Sequence, residues 1–132
     1  MNNPEKRKEQ LAAFDKLLTI MDELREKCPW DRKQTIESLR HLTIEETFEL
    51  SDAILNNDLE EISKELGDIL LHIVFYARLG DEKKAFDIGK VIGQLNEKLI
   101  RRHPHIYGDI SADDEEAVKQ NWEKIKLKEK GN

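Results

Sequence analysis

One cysteine, three prolines, six glycines and an aromatic fraction of 6% are all that this chain of 132 residues offers in those classes. The lone Cys28 excludes an internal disulfide framework and fits a reducing compartment. Few helix breakers and few aromatics, set beside a charged fraction of 38%, are the profile of a helical soluble protein. Long hydrophobic runs are missing too: the longest, Ile69 to Ala77, is interrupted by His72 and falls far short of a bilayer span. The segment Met1-Asn2-Asn3-Pro4-Glu5-Lys6-Arg7 has no apolar stretch resembling a signal peptide, so the expected location is cytoplasmic, with no membrane partner. Positive charge is in deficit, with 22 Lys and Arg against 28 Asp and Glu and a net charge of −6, which argues against nucleic acid as a partner. A polyanionic ligand therefore has to be met locally. The length suits one domain, residues 1–132, with a real core.

Apolar periodicity parses the chain into helices. From about Pro4 to Lys27, Leu11, Phe14, Leu17, Leu18, Met21 and Leu24 recur at three- and four-residue intervals, and Cys28-Pro29-Trp30-Asp31 stops the pattern. Asp31 with Gln34 is one candidate N-cap and Thr35 with Ser38 another, so the run to Ile54 is either one helix or a short one feeding a long one. That helix has two apolar stripes, Leu39, Leu42, Leu50 and Ala53 on one side and Ile44, Phe48 and Leu55 on the other, so two surfaces want burial and one is expected to meet another subunit. Asp58 with Glu61 caps a third helix, from about Leu59 to Leu79, and Gly80 is expected to stop it in the left-handed conformation. A fourth runs from about Glu82 to Arg102 and ends before Pro104. After the loop 103–109, a charged helix from about Ala112 to Glu129 carries Val118, Trp122 and Ile125 on one side. Up to five helices with short connections and no strand-like alternation point to an all-α bundle.

Two acidic clusters sit where this pattern wants apolar residues. With about 100° per residue, Glu46 and Glu49 share a face with Leu39, Leu42, Leu50 and Ala53, while Glu65 and Asp68 share one with Ile62 and Ile69. Unpaired carboxylates there would cost on the order of several kcal/mol each in lost hydration, and no Lys or Arg occupies the compensating position. An ordinary solvated face with i,i+4 ion pairs accounts for Glu60, Glu61 and Lys64 but not for these four. An i,i+3 pair on each of two facing helices gathers oxygen donors around one point, which suits Mg²⁺. Glu45 points about a quarter-turn away, a better place for orienting water than for ligating metal. A di-iron carboxylate bundle would carry Glu-x-x-His on paired helices, and neither cluster has it. His72, four residues after Asp68, reads better as a hydrogen-bonded core histidine than as a ligand.

Positive charge comes from the fourth helix, where Lys98 and Arg102 lie beside Leu95 and Leu99 and Arg102 is the better candidate for gripping a carboxylate or phosphate. Arg101 projects from the other side, as a favourable charge near a helix C-terminus. Trp122 and Lys126 form an i,i+4 pair suited either to holding a base and a phosphate or to docking the last helix.

These residues resemble the MazG family of nucleoside triphosphate pyrophosphohydrolases, in the all-α NTP pyrophosphatase superfamily. The superfamily pattern stands here as Glu45-Glu46-x-x-Glu49 followed by Glu65-x-x-Asp68. Three further stretches resemble MazG: Cys28-Pro29-Trp30-Asp31 with Gln34-Thr35; Lys98-Leu99-Ile100-Arg101-Arg102-His103-Pro104-His105 ahead of Gly108-Asp109; and Asn121-Trp122-Glu123-Lys124-Ile125-Lys126. The resemblance implies a four-helix-bundle-like fold with an additional C-terminal helix, dimerising through bundle helices as a homodimer or higher even oligomer. It implies Mg²⁺, with Mn²⁺ as substitute, and cleavage of NTP or dNTP to the monophosphate and pyrophosphate by water attack at the α-phosphorus, in the service of clearing the nucleotide pool. By carry-over, Glu46, Glu49, Glu65 and Asp68 ligate metal, Lys98 and Arg102 bind phosphate, and Trp122 and Lys126 hold the nucleotide; on chemical grounds Glu45 or Glu49 is the expected handler of the attacking water. Many MazG proteins carry two such domains, and this chain matches the first half, as a single-domain member or as part of a tandem protein. The alternative function is a non-catalytic metal-nucleotide-binding or dimerisation module.

Overall fold

The computed structural model of the chain describes residues 3–109 and 112–130, and no strand occurs among them. Helix α1, Pro4–Lys27, starts where Asn3 Oδ1 accepts from the backbone N–H groups of Glu5 and Lys6, with Pro4 at the first position, where no N–H donor is needed. A short α2, Pro29–Lys33, follows, and α3 spans Ile36–Leu55. Thr35 and Ser38 form a reciprocal capping box at the start of α3, so of the two expected starts the second is used and Asp31 lies inside α2 rather than capping a helix. Helix α4, Leu59–Glu82, begins at the Asp58 cap, whose side chain accepts from Glu61 N at 3.1 Å. Then come α5, Ile88–Arg101, a single turn α6, Pro104–Tyr107, and α7, Glu115–Lys130, capped by Asp114.

Gly80 does not end its helix. It lies within α4, a Cβ there would sit 2.4 Å from the Phe86 ring, and the left-handed residue of the turn is Lys84 at φ 57°. Glycine is needed for close approach of Phe86, whose backbone N–H reaches back toward the Gly80 carbonyl, and α5 accordingly starts at Ile88 instead of Glu82.

The chain divides into two compact units, residues 1–88 and 89–132. In the first, α3 and α4 make the most extensive packing, and their short connection through Asn57, in the left-handed region at φ 52°, makes them antiparallel. Met21 of α1, Leu39 of α3 and Val74, Phe75 and Leu79 of α4 form the buried core, with Phe14, Leu17, Leu18, Leu42 and Leu71 packed around it. Burying each such side chain contributes about 1.5–3 kcal/mol. Arg25 ties the small α2 to this core: its Nη1 donates to the carbonyls of Asp31, Arg32 and Gln34, while Nε and Nη2 grip Glu82 at 2.7 and 2.9 Å. Arg78 joins the same network through Glu82 and Asp22. Burial leaves the second stripe of α3 bare, with Ile44, Phe48 and Leu55 all exposed.

In the unit 89–132 no described residue is fully buried. Its contacts include an aromatic and an ionic set: the His103 ring meets Trp122 edge-on with centroids 5.5 Å apart, and Glu129 of α7 reaches Arg101 and Arg102. Among the described residues, no helix is long and apolar enough to cross a membrane.

Candidate functional site

Antiparallel packing of α3 on α4 brings the two acidic clusters together. One carboxylate oxygen each from Glu46, Glu49 and Glu65 lie within 4.8 Å of one another. Their exposure is graded: Glu65 is buried at 7%, Glu46 is half-buried, and Glu49 is exposed. Burial raises the Glu46 carboxyl above its ordinary range, and the charges of Asp68 and Glu49 push the same way against a hydrogen bond with Glu65. For Glu65, burial, the close approach of the Glu46 and Glu49 carboxyls and the charge of Glu49 lift the pKa to about 7. No Lys or Arg pairs with these acids among the described residues. Glu46 Oε2 and Glu65 Oε2 are inaccessible to solvent and have no hydrogen-bond partner.

That combination fits a hard divalent cation. The donor set is all oxygen, as Mg²⁺ and Mn²⁺ prefer, and a cation would supply the positive charge and the contacts that two orphaned oxygens lack. Asp68 is exposed and outside the three-carboxylate set, although its charge is felt at Glu46. Glu45 is exposed and also outside the set. His72 gives its Nδ1 to Thr43 Oγ1 at 2.7 Å, the hydrogen-bonded reading its sequence position suggested.

The acidic surface continues beyond the expected residues. Glu49, Asp52, Asp58, Glu61 and Glu65 line an open depression of about 380 Å³ on the first unit. The signal for Asp52 is the extension of the i,i+3 ladder Glu46, Glu49, Asp52 by one step. Glu61, expected on a solvated face, is half-buried one turn before Glu65 and raises its pKa further.

The basic residues belong to the second unit. Lys98 is exposed and shares a shallow depression with Val91, Gln94, Leu95 and Arg101. Arg102 Nη2 pairs with Glu129 Oε1 and Arg101 Nε with Glu129 Oε2, each at 3.0 Å, so Arg101 is an ion-pair partner and not only a helix-end charge. The two guanidinium groups hold the Glu129 carboxyl below its ordinary range. Arg102 Nε, His105 Nδ1 and Trp122 Nε1 are inaccessible and unpartnered. Lys126 is exposed, 3.8 Å from Glu123. Sequence reasoning missed Glu129, which lies in a charge-rich stretch where periodicity gives it no distinction.

Fold and site together define an all-α protein with a carboxylate cluster suited to a divalent cation. The family model for the MazG nucleotide pyrophosphohydrolase domain matches residues 34–107, and the chain belongs to that family. The matched stretch contains both acidic clusters, Lys98 and Arg102, and stops short of Trp122 and Lys126. A nucleoside triphosphate pyrophosphohydrolase of Escherichia coli (strain K12) is 43% identical over 123 residues, covering 91% of this chain and 47% of that protein. The nucleoside triphosphate pyrophosphohydrolase/pyrophosphatase MazG of Thermotoga maritima is 50% identical over 126 residues, covering 94% of this chain and 48% of that protein. This chain thus spans about half the length of these relatives. Among solved structures, a mazG-related protein from Thermotoga maritima superposes with a TM-score of 0.74 at 27% identity, covering 86% of this chain and 98% of that one.

Proposed function

We propose that this chain is a divalent-cation-dependent nucleoside triphosphate pyrophosphohydrolase, cleaving NTP or dNTP to the monophosphate and pyrophosphate and so clearing unwanted nucleotides. The observation that carries this reading is the set of three carboxylate oxygens within 4.8 Å, two of whose residues each keep a buried oxygen without a partner. Glu46, Glu49 and Glu65 would hold Mg²⁺, or Mn²⁺ in its place, and Asp68 would join them after a side-chain movement. A bound ion supplies charge neutralisation and Lewis acidity at the phosphates.

The rest is work for the chain's own groups. Water attacks the α-phosphorus, forming one P–O bond while the bond to pyrophosphate breaks. Its proton passes to a carboxylate in contact with solvent, Glu49 or Glu45, both of which are exposed. Lys98 and Arg102 meet the phosphate charges, which requires Arg102 to exchange Glu129 for substrate oxygens. Trp122 and Lys126 hold the nucleoside and a further phosphate. The exposed stripe Ile44, Phe48 and Leu55 supports assembly into a homodimer or higher even oligomer.

A product-resolved assay tests this. NTP with Mg²⁺ should yield NMP and pyrophosphate, and Glu49→Ala or Asp68→Ala should abolish the reaction; release of orthophosphate, or unchanged rates in both variants, sinks the proposal. The second reading, a metal-nucleotide-binding or dimerisation module, draws on the half-length match to the relatives. Tight Mg²⁺-nucleotide binding without turnover would select it.

A further inference from the structure

One side chain links α3 to two successive turns of α4 by hydrogen bonds. Thr43 Oγ1 lies 2.7 Å from His72 Nδ1, within hydrogen-bonding distance of the Tyr76 hydroxyl, and 3.1 Å from its own helix's Leu39 carbonyl. A threonine hydroxyl has one proton and two lone pairs, so three partners saturate it. With the proton given to the Leu39 carbonyl, the lone pairs are left to accept from the Tyr76 hydroxyl and from His72 in its Nδ1–H tautomer.

This knot sits beside the acidic cluster on both helices. Thr43 precedes Glu46 by three residues, and His72 follows Asp68 by four and Glu65 by seven, so the same faces carry both groups. Apolar packing between helices is non-directional. Sliding α3 by one residue's rise, about 1.5 Å, would move Glu46 and Glu49 past Glu65 by the same amount. Metal–oxygen distances tolerate only about 0.2 Å. Glu65, once ionised, is also repelled across the α3–α4 seam by Glu46 and Glu49 before any cation arrives. Directional bonds one turn from Glu46 and two turns from Glu65 oppose both displacements.

We propose that Thr43, His72 and Tyr76 form a register latch that positions the Glu46 and Glu49 carboxylates of α3 against Glu65 of α4 for divalent-cation binding. Thr43 is the positioning residue, and its role rests on the metal-site reading above.

The test is Mn²⁺ binding to the full chain, followed by electron paramagnetic resonance, with no nucleotide present. Thr43→Val, which keeps the volume and removes the hydroxyl, should weaken Mn²⁺ binding by about 10- to 100-fold, the range for losing an outer partner of a metal site. Thr43→Ser should restore most of it, and the KM for nucleotide at saturating Mn²⁺ should stay unchanged in both. A structural knot alone would lower the melting temperature of Thr43→Val and leave its Mn²⁺ affinity and spectrum as in the unaltered chain; that result overturns the proposal. Should Thr43→Val fail to fold, Tyr76→Phe decides: a folded Tyr76→Phe with unaltered Mn²⁺ affinity overturns the latch, and weakened binding supports it. If the unaltered chain binds Mn²⁺ no better than Glu49→Ala, the metal site itself is wrong and the latch falls with it.

Discussion

The acids of α3 and α4 and the arginines at 101 and 102 are both clusters of like charge, the first partly buried and the second more exposed, and they are handled in opposite ways. Glu46 and Glu65 keep buried oxygens without a partner, and their carboxyls are pushed up above the ordinary range. Arg101 and Arg102 are neutralised within their own unit by Glu129, whose carboxyl is held low in return. Other polar groups of the first unit are satisfied: Arg25 uses all of its nitrogens, and His72 and Tyr76 both bond the Thr43 hydroxyl. Two acids with buried, unsatisfied oxygens, beside a third, inside a well-satisfied helix pair mark a place where an external cation belongs. A cation pair already holding a carboxylate marks a place where an external anion has to compete.

The largest expected effect breaks the acidic half. Glu65→Gln removes one ligand charge from the trio, so Mn²⁺ affinity and NTP turnover should each fall by at least about 100-fold, since losing a ligand costs no less than losing an outer partner of one. The same substitution should raise the melting temperature measured at pH 8 without divalent ions, because repulsion among three carboxylates within 4.8 Å is relieved. A variant that loses stability and keeps Mn²⁺ affinity would mean that Glu65 is a structural acid.

Glu82 is the acid to set against Glu65. Its hydrogen bonds to Arg25 and Arg78 hold its carboxyl below the ordinary value of 4.5. A carboxyl depressed by folding adds stability at pH values above its unfolded pKa and loses that contribution as the pH falls through its folded one. Glu82→Gln should therefore cost about 1 kcal/mol at pH 7, a figure already reduced for solvent screening of these half-exposed groups. In denaturant titrations, the gap from the unaltered chain should close well below pH 4.5. A gap that persists in strong acid would assign the loss to packing instead of charge.

How much of this is legible in the sequence depends on how local its cause is. Helix α1 has the expected bounds because its apolar repeat and its stop at Cys28-Pro29 are local, and the Thr35 and Asp58 caps are local too. Gly80 misleads because its small size serves Phe86, a contact made only after the chain turns back, while the strained turn falls on Lys84. The acidic ladder is readable as a face, and Asp52 extends it by the same spacing, but periodicity does not reveal that Asp68 is exposed while Glu65 is buried. Glu129 is beyond such reasoning altogether, since it meets Arg101 and Arg102 across 28 and 27 residues of chain.

Glu129 also offers the gentlest way to sharpen the contrast. If its carboxylate occupies Arg101 and Arg102 as an internal competitor for phosphate, Glu129→Gln frees both guanidinium groups from an ion pair while leaving an amide that still accepts a hydrogen bond. Pairs this exposed are weak, so the KM for NTP should fall by no more than about fivefold, with kcat little changed. The effect should shrink as salt is raised, because screening weakens the competing pair and the phosphate contact alike. A KM that rises in Glu129→Gln would show the opposite arrangement, in which Glu129 holds the arginines in place for substrate, and the two halves of the molecule would then differ only in the sign of their charge.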